Sequence, residues 1–511
     1  MIFRQVHKSL RERLTVLHKQ GIDIRFADAR FNIWNGSFSI DNLKASVGKD
    51  SVTHGLHASI PLLVVKGIQL IPFITSHTLK IEEISIYDPL LIYNDQAEFP
   101  NDKTRKSFLE NIQISNIRLA NAEVIMKDSL GADTIMQGNL QLEVQHLGLQ
   151  KDRDSLIWND ADLTVRDLQL DMPASYYNLK IKNIRLMLSE GIFQIDSALI
   201  KPKLGKRAFM RKVNKQTDRI AGLIPKFSIE GFEIYRDTTL HIHAEKLVTG
   251  FYLEIFRDKR YPFIKDFYTC LPAHFVQRLP FQFTVDSLNV RDSFISYEEF
   301  PEKGDSSGRV FFDKLNASIA GLHNQAGKEK EIEMNANAEL MGTGQLQVRF
   351  TFPTDTTKAY EAKGSLRNFN MTRVNDMLGA AAQAKVKSGN MREMKFSFQY
   401  NMLRSVGEVK LEYENLKIIS LRENSKNEQA TSFIKTLLLN TFIIKKNMDE
   451  DRPDDDKTGT ILFYRDTKRS VFNYWWKSLL SGIKSAYDID KLESVAKKKA
   501  DKRAEKAKRK S

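Results

Sequence analysis

The sequence predicts a mainly β protein: a strongly twisted, mostly antiparallel sheet with a few peripheral helices and a C-terminal amphipathic helix. Three observations carry this reading. An eight-residue strand motif recurs along the chain, helical periodicity is confined to short segments, and no alternation of strands with helices points to parallel βαβ units.

The motif is apolar-x-apolar-x-x-apolar-x-apolar, with x polar or glycine. It occurs at Leu79–Ile86, Ile112–Leu119, Leu142–Leu149, Leu163–Leu170, Leu179–Leu186, Phe227–Ile234, Phe283–Val290 and Leu411–Ile418. Phe38–Ala45 and Val310–Ala317 are close copies ending in alanine. At 41% apolar content, a chain of this length in random order gives roughly two such octads. Each half alternates as a half-buried strand does, but the central polar pair shifts the phase by one. That shift would send the second half to the other face of the sheet. A bulge that absorbs one residue or a short break between two strands avoids it. The octads start at irregular intervals, which excludes a fixed-period solenoid.

Further strand-like runs lie at Leu90–Tyr93, Gly191–Ile200, Glu331–Leu340, Gln345–Phe352 and Met394–Tyr400. The octads at 79–86 and 283–290 extend into longer strands over Leu79–Tyr93 and Phe283–Tyr297, which place Ile84, Ile86, Leu288 and Val290 on an apolar face. Ile117 and Leu119 hold the corresponding places in the octad at 112–119. Helical spacing is confined to residues 3–19, about 207–222, 371–384, 427–446 and 470–510. Arg207–Ile220 is basic, with Phe209, Val213 and Ile220 at helical intervals. The acidic run Asp449–Asp456 lacks the glycine and distal glutamate of an EF-hand loop and reads as a solvated loop. The expected divisions are a helical segment over 1–30, a β region over 31–421, a helix, acidic loop and short strand over 422–468, and an amphipathic helix with basic tail over 469–511.

The formal net charge is +14, and residues 491–511 alone carry ten Lys/Arg against three Asp/Glu, a net of +7. A nearly neutral body with a basic tail argues against a nucleic-acid partner, whose enzymes spread basic surface over the fold. A single cysteine, Cys270, excludes an intramolecular disulfide or a multi-cysteine metal site. Residues 1–20 hold too many charges for a signal-peptide core, and Ile60–Ile74 is interrupted by Pro61, Lys66, Gln69 and Pro72. No nucleophile elbow, Walker lysine or His-Glu-x-x-His motif is present. His241 and His243 lack a matched third ligand; His54 and His57 are in the same position. Gly342-Thr-Gly344 reads as a turn or bulge, and Cys270 as a packed thiol. No catalytic residue, metal or cofactor is expected.

The last helical segment repeats at i, i+3, i+4 through Phe472, Trp475, Trp476, Leu479, Leu480, Ile483 and Tyr487, with Lys477, Ser478, Ser481, Lys484 and Ser485 on the remaining arc. Two readings fit. The helix caps the end of the sheet, or it lies at a membrane interface, where tryptophan favours the headgroup level and the basic tail favours anionic lipid.

Residues 62–95 (LLVVKGIQLIPFITSHTLKIEEISIYDPLLIYND) resemble the early part of AsmA-like proteins, an apolar stretch ending in a strand pair with a proline, here Pro89, before the second strand. FNIWNGSFSIDNLKAS at 31–46 resembles the family's early strand, and the segments within 283–322 its later hairpins. Ala338–Leu366, with Gly344 and Gly364 near strand ends, is similar to its final sheet. The resemblance implies a Gram-negative envelope protein with its β-rich part on the periplasmic face of the inner membrane, related to bridge-like lipid transfer proteins. Residues 1–20 depart from that pattern, which has an anchor helix there. The implied fold is an elongated sheet curled into an apolar groove for acyl chains, lined here by Ile84, Ile86, Ile117, Leu119, Leu288 and Val290. The implied partners are phospholipid or another acyl lipid, the inner-membrane surface and other envelope proteins. The implied role is non-enzymatic, in envelope lipid transport or outer-membrane assembly. A structural scaffold with a sealed β core that binds proteins is the alternative.

Overall fold

The computed structural model describes residues 22–32, 35–47, 55–69, 78–94, 111–128, 131, 133–152, 155–236, 239–263, 269–271, 276, 278–302, 306–325, 331–353, 355, 358–382, 384–420 and 457–486. The protein is mainly β, and its described residues form 23 strands in mixed, mostly antiparallel pairing. Three α-helices are described: α1 (Lys206–Val213), α2 (Asn375–Ala382) and α3 (Val471–Ala486). The chain divides into two compact units, unit 1 over 1–204 and 223–232 and unit 2 over 205–222 and 233–511.

Unit 1 starts with strand Ser37–Val47, which pairs on one side with Ile22–Arg25 and Asp28–Asn32 and on the other with Leu56–Lys66. Leu56–Lys66 then pairs with two successive strands, Thr78–Tyr87 and Leu90–Asn94. Both lie parallel to Asn111–Lys127. From there an antiparallel meander runs through Thr134–Asp152, Ser155–Met172, Tyr177–Met187 and Ile192–Pro202.

The strand expected over Leu79–Tyr93 is therefore broken. Asp88 takes a left-handed backbone (φ 48°) and Pro89 cannot donate to the ladder. The broken strand still follows its neighbour: Asp88 N–H donates to Ala120 O at 3.0 Å, and Glu123 N–H to Pro89 O at 2.8 Å. Asn121, also left-handed, donates its side-chain amide to the Asp88 carboxylate at 3.0 Å.

Unit 2 repeats this arrangement. Leu240–Thr249 and Tyr252–Asp258, separated at Gly250, both lie parallel to Gln282–Phe300. The long strand bulges near Asp292 (φ 41°), where Phe251 N–H is held by Ser293 Oγ at 2.9 Å. Antiparallel strands follow through Gly308–His323, Ile332–Leu340, Gly344–Phe352, Tyr360–Asn370, Ala384–Tyr400, Arg404–Ser420 and Lys457–Tyr464. Among the described registers only the four pairings onto Asn111–Lys127 and Gln282–Phe300 are parallel.

The octad's phase shift is taken up by bulges inside continuous strands, except at Phe227–Ile234, where Gly231 falls in a short break between Arg219–Glu230 and Glu233–Arg236. Its fifth residue is left-handed in His146, Asp167, Gly231 and Asn415, and in the close copies at Asn42 and Lys314. Asn, Asp and Gly tolerate that region best, which explains the polar pair at the octad's centre. Both halves then face one way. Ile81 with Ile84, Ile112 with Ile117, and Leu142 with Leu147 all join the same apolar cluster.

The helix expected over about 207–222 stops at Val213, where Asn214 adopts φ 53° and closes the last turn onto Met210 O. Ile220 belongs instead to the strand Arg219–Glu230. In the 371–384 segment a 3-10 turn (Met371–Val374) precedes α2, and the Asn375 amide is tied to both backbone groups of Val386 at 2.7 and 3.0 Å. Residues 3–19, 427–446 and 449–456 lie outside the described residues, as does the 470–510 segment beyond Ala486.

Candidate functional site

In unit 1 the octads align into four apolar columns. Leu79, Ile81, Ile84 and Ile86 lie beside Ile112, Ile114, Ile117 and Leu119 in parallel register. Those in turn oppose Leu149, Leu147, Val144 and Leu142 in the antiparallel pairing. Ile84, Ile86, Ile117 and Leu119 are thus brought together as the sequence suggested. Leu288 and Val290 hold the equivalent octad positions in unit 2, opposite Ile319 and Ala317. All six are half-buried.

The reverse side of the unit 1 sheet is a ladder of charges. Arg118 and Arg166 flank Glu143, and Lys66 donates to Glu83 at 3.0 Å. Hydrogen bonds from Gln145 and then Arg166 hold the Glu143 carboxyl below its ordinary range. The Ser85 hydroxyl and Lys66 do the same for Glu83. One face of this sheet is built for water, and the octad positions on the other are apolar, mostly aliphatic, with Phe193 opposite Leu186.

The two units treat their apolar faces differently. Among the described residues of unit 1 there is no helix, and its cluster buries only Ile114, Val144 and Leu147. Among the described residues of unit 2, twenty-one are buried in one core. There Leu411, Tyr413 and Leu416, from the same octad motif, are at most 1% exposed. Beside this octad lies α3, across strands Arg404–Ser420 and Lys457–Tyr464.

Helix α3 docks through small residues. Tyr474, Ser478 and Gly482 are its buried positions. Ser478 Oγ meets Ser405 Oγ at 2.7 Å, and Tyr474 Oη donates to Asn401 O at 3.2 Å. Ser481 Oγ and Ser485 Oγ accept from the backbone N–H groups of Leu462 and Thr460, covering donors of the last strand that a sheet edge leaves unpaired. The serines on the remaining arc, outside the expected apolar stripe, therefore face the sheet, a correction whose physical reason is close packing: only small side chains let the helix backbone approach Val409 and Ile461. Ser478, Gly482 and Ala486 at four-residue intervals were the sequence signal for it.

Of the residues expected at a membrane interface, Trp475, Leu479 and Ile483 pack against this core. Trp475 lies 4.4 Å from the Phe350 ring, centroid to centroid. Phe472 and Trp476 are exposed by 44% and 51%, and Leu480 is half-buried. Tyr487 lies outside the described residues. No helix among the described residues is long and apolar enough to cross a membrane.

The remaining candidates resolve into local structure. His243 sits 3.3 Å from the Asp286 carboxylate and 3.7 Å from Glu233, while His241 stacks on Tyr235 with centroids 4.5 Å apart. No group of three His, Cys, Asp or Glu residues among those described could hold a metal. Gly342-Thr-Gly344 closes the hairpin between Ile332–Leu340 and Gly344–Phe352, with Met341 and Gly342 left-handed. Half-buried Cys270 has Arg278 Nη1 at 3.4 Å from its sulfur.

Sequence reasoning missed a network of ion pairs in unit 2. Arg257 clamps Asp218 with two bonds of 2.7 Å, and Arg260 does likewise to buried Asp258 while lying 3.6 Å above the Phe300 ring. Tyr297 Oη donates to Glu299, which also pairs with Lys259. Each carboxylate here has a cation, so the network fixes structure and leaves no free base. Comparison with protein-family models and with curated proteins finds no match.

Proposed function

We propose that the protein binds lipid acyl chains along the apolar sheet face of unit 1, as a non-enzymatic component of envelope lipid transport or outer-membrane assembly. One observation supports this above the others. The octad at 411–418 is buried beside α3, whereas the octads of unit 1 at 79–86 and 112–119 keep Ile84, Ile86, Ile117 and Leu119 half-exposed, across columns of apolar residues with no helix over them among the described residues. An uncovered face of this kind needs an apolar occupant. The AsmA-like resemblance supplies its class, and its 62–95 phrase contains the strands that carry Ile84 and Ile86. In the same reading, the exposed Phe472 and Trp476 on α3 meet the membrane interface.

The sealed core of unit 2 favours a second reading, a scaffold that binds protein partners. Mass spectrometry of the detergent-free protein separates them. The lipid reading expects a co-purifying acyl lipid that Ile86→Asp depletes in a folded protein. Folded protein that carries no lipid leaves the scaffold.

A further inference from the structure

We propose that the outward face of α1 is a docking surface for an anionic phospholipid bilayer. The helix is anchored from beneath. Phe209 and Met210 are 3% and 0% exposed, and Lys206 binds Glu298 at 2.5 Å while lying over the Phe256 ring. The following turn is stapled as well: Gln216 donates its side-chain amide to Lys259 O at 3.0 Å and Tyr261 O at 2.9 Å, and its N–H to Pro262 O. With Phe209, Met210 and Val213 turned inward, helical spacing places Arg207, Ala208, Arg211 and Lys212 on the opposite side. Lys215 follows just beyond the cap. All of these are exposed.

None of these four cations has a carboxylate within ion-pair reach among the described residues. Some exposed cations of the sheet are paired, as Arg367 and Lys395 are around Glu393, and others, such as Lys44 and Lys180, stand singly along their strands. At α1 four lie together. The carboxylates near α1 are already engaged, Glu298 by Lys206 and Asp218 by Arg257. Arg211 and Lys212 in the last turn suit the helix dipole, so stability alone accounts for them. It does not account for Arg207. That residue sits in the first turn, where the dipole disfavours a cation and where no acidic residue is present, and it lies one turn from a like charge at i+4. The arrangement costs folding stability, and an external anionic surface removes the cost.

The face holds cations and one alanine, with no aromatic ring on which a base could stack, so single-stranded nucleic acid fits it poorly. A broad layer of phosphate headgroups fits it, because each basic residue near an anionic leaflet adds binding without needing a shaped pocket. This inference stands apart from the acyl-chain reading, whose test concerns co-purified lipid.

The experiment is co-sedimentation of the full-length protein with phosphatidylcholine vesicles, with or without phosphatidylglycerol. Wild type is compared with R207Q/R211Q/K212Q/K215Q and with a charge-matched control, K44Q/K180Q/K182Q/K226Q, at exposed positions of unit 1. We expect the α1 variant to lose at least about tenfold in partition to anionic vesicles, with circular dichroism unchanged, while the control retains binding. Acetylation of Lys212 and Lys215 should slow when anionic vesicles are added. An equal loss in both variants, or no loss in either, overturns the proposal. So does an α1 variant that keeps vesicle binding but loses binding to single-stranded RNA.

Discussion

Substituting aspartate at equivalent apolar sheet positions of the two units tests whether one face is open and the other closed. Leu411 is 0% exposed. Leu411→Asp forfeits its apolar burial, about 1.5–3 kcal/mol, and buries a carboxylate among Val409, Tyr413 and Ile461, with the half-buried Lys457 opposite it in the register. The sum should exceed about 4 kcal/mol. Ile86 is half-buried and its carboxylate replacement can reach water. The expected loss there is about half of a full burial, roughly 1 kcal/mol. The assay is urea unfolding followed by hydrogen exchange on peptides from 78–127 and 404–420, because a chain with two compact units need not unfold in one step. Lipid content is read on the same samples. If Ile86→Asp destabilises unit 1 as much as Leu411→Asp destabilises unit 2, the unit 1 face is a core and the reasoning is refuted.

Three further outcomes are expected. Gly482→Ala puts a methyl group 2.6 Å from Ile461 Cγ1 and 2.8 Å from Val409 Cγ1, so α3 should lift with a loss of about 1–3 kcal/mol, visible as a change in near-ultraviolet dichroism. Asn415 has φ 52°; Asn415→Val should cost about 1–3 kcal/mol and Asn415→Gly far less, measured as the shift in denaturation midpoint. Burial pushes the Tyr474 hydroxyl up to about 12 from its ordinary 10.0, against the opposing pull of Ser405 and Arg465. The folded state therefore holds this proton more tightly than the unfolded chain. The associated stability is complete below pH 10 and is lost as pH rises towards 12, so the ultraviolet titration step near 12 should vanish in Tyr474→Phe.

Strand content was legible because half-buried strands advertise themselves by period-2 alternation, and the octad's central pair announced the bulges at His146, Asp167 and Asn415. The break at Asp88–Pro89 was only half legible. Pro89 marked a place where the ladder fails, but not that the two halves would stay in line along Asn111–Lys127. In α1 the basic run was visible and its end was not, since Asn214 closes the helix by a left-handed turn that Asn permits without requiring. The arc of α3 was misassigned because hydropathy ranks serine and glycine as solvent-facing. Their small size is what a close helix–sheet contact selects.

Local alternation and turn chemistry depend on neighbours in the chain, and so the sequence alone determined a mainly β protein with a bulge or break in its octads, a basic helix beginning near 207 and an aromatic helix after 470. Which apolar faces are covered depends on residues far apart in the chain. Leu411 and Ile86 occupy octads of the same form, and the return of α3 onto strands Arg404–Ser420 and Lys457–Tyr464 adds a layer that Ile86 lacks among the described residues. The tertiary structure decided that the 411–418 octad is covered by α3 and that no helix among the described residues lies over the unit 1 face. The free energy of burying an apolar side chain is set by what finally packs against it, and alternation along a strand carries no record of that partner.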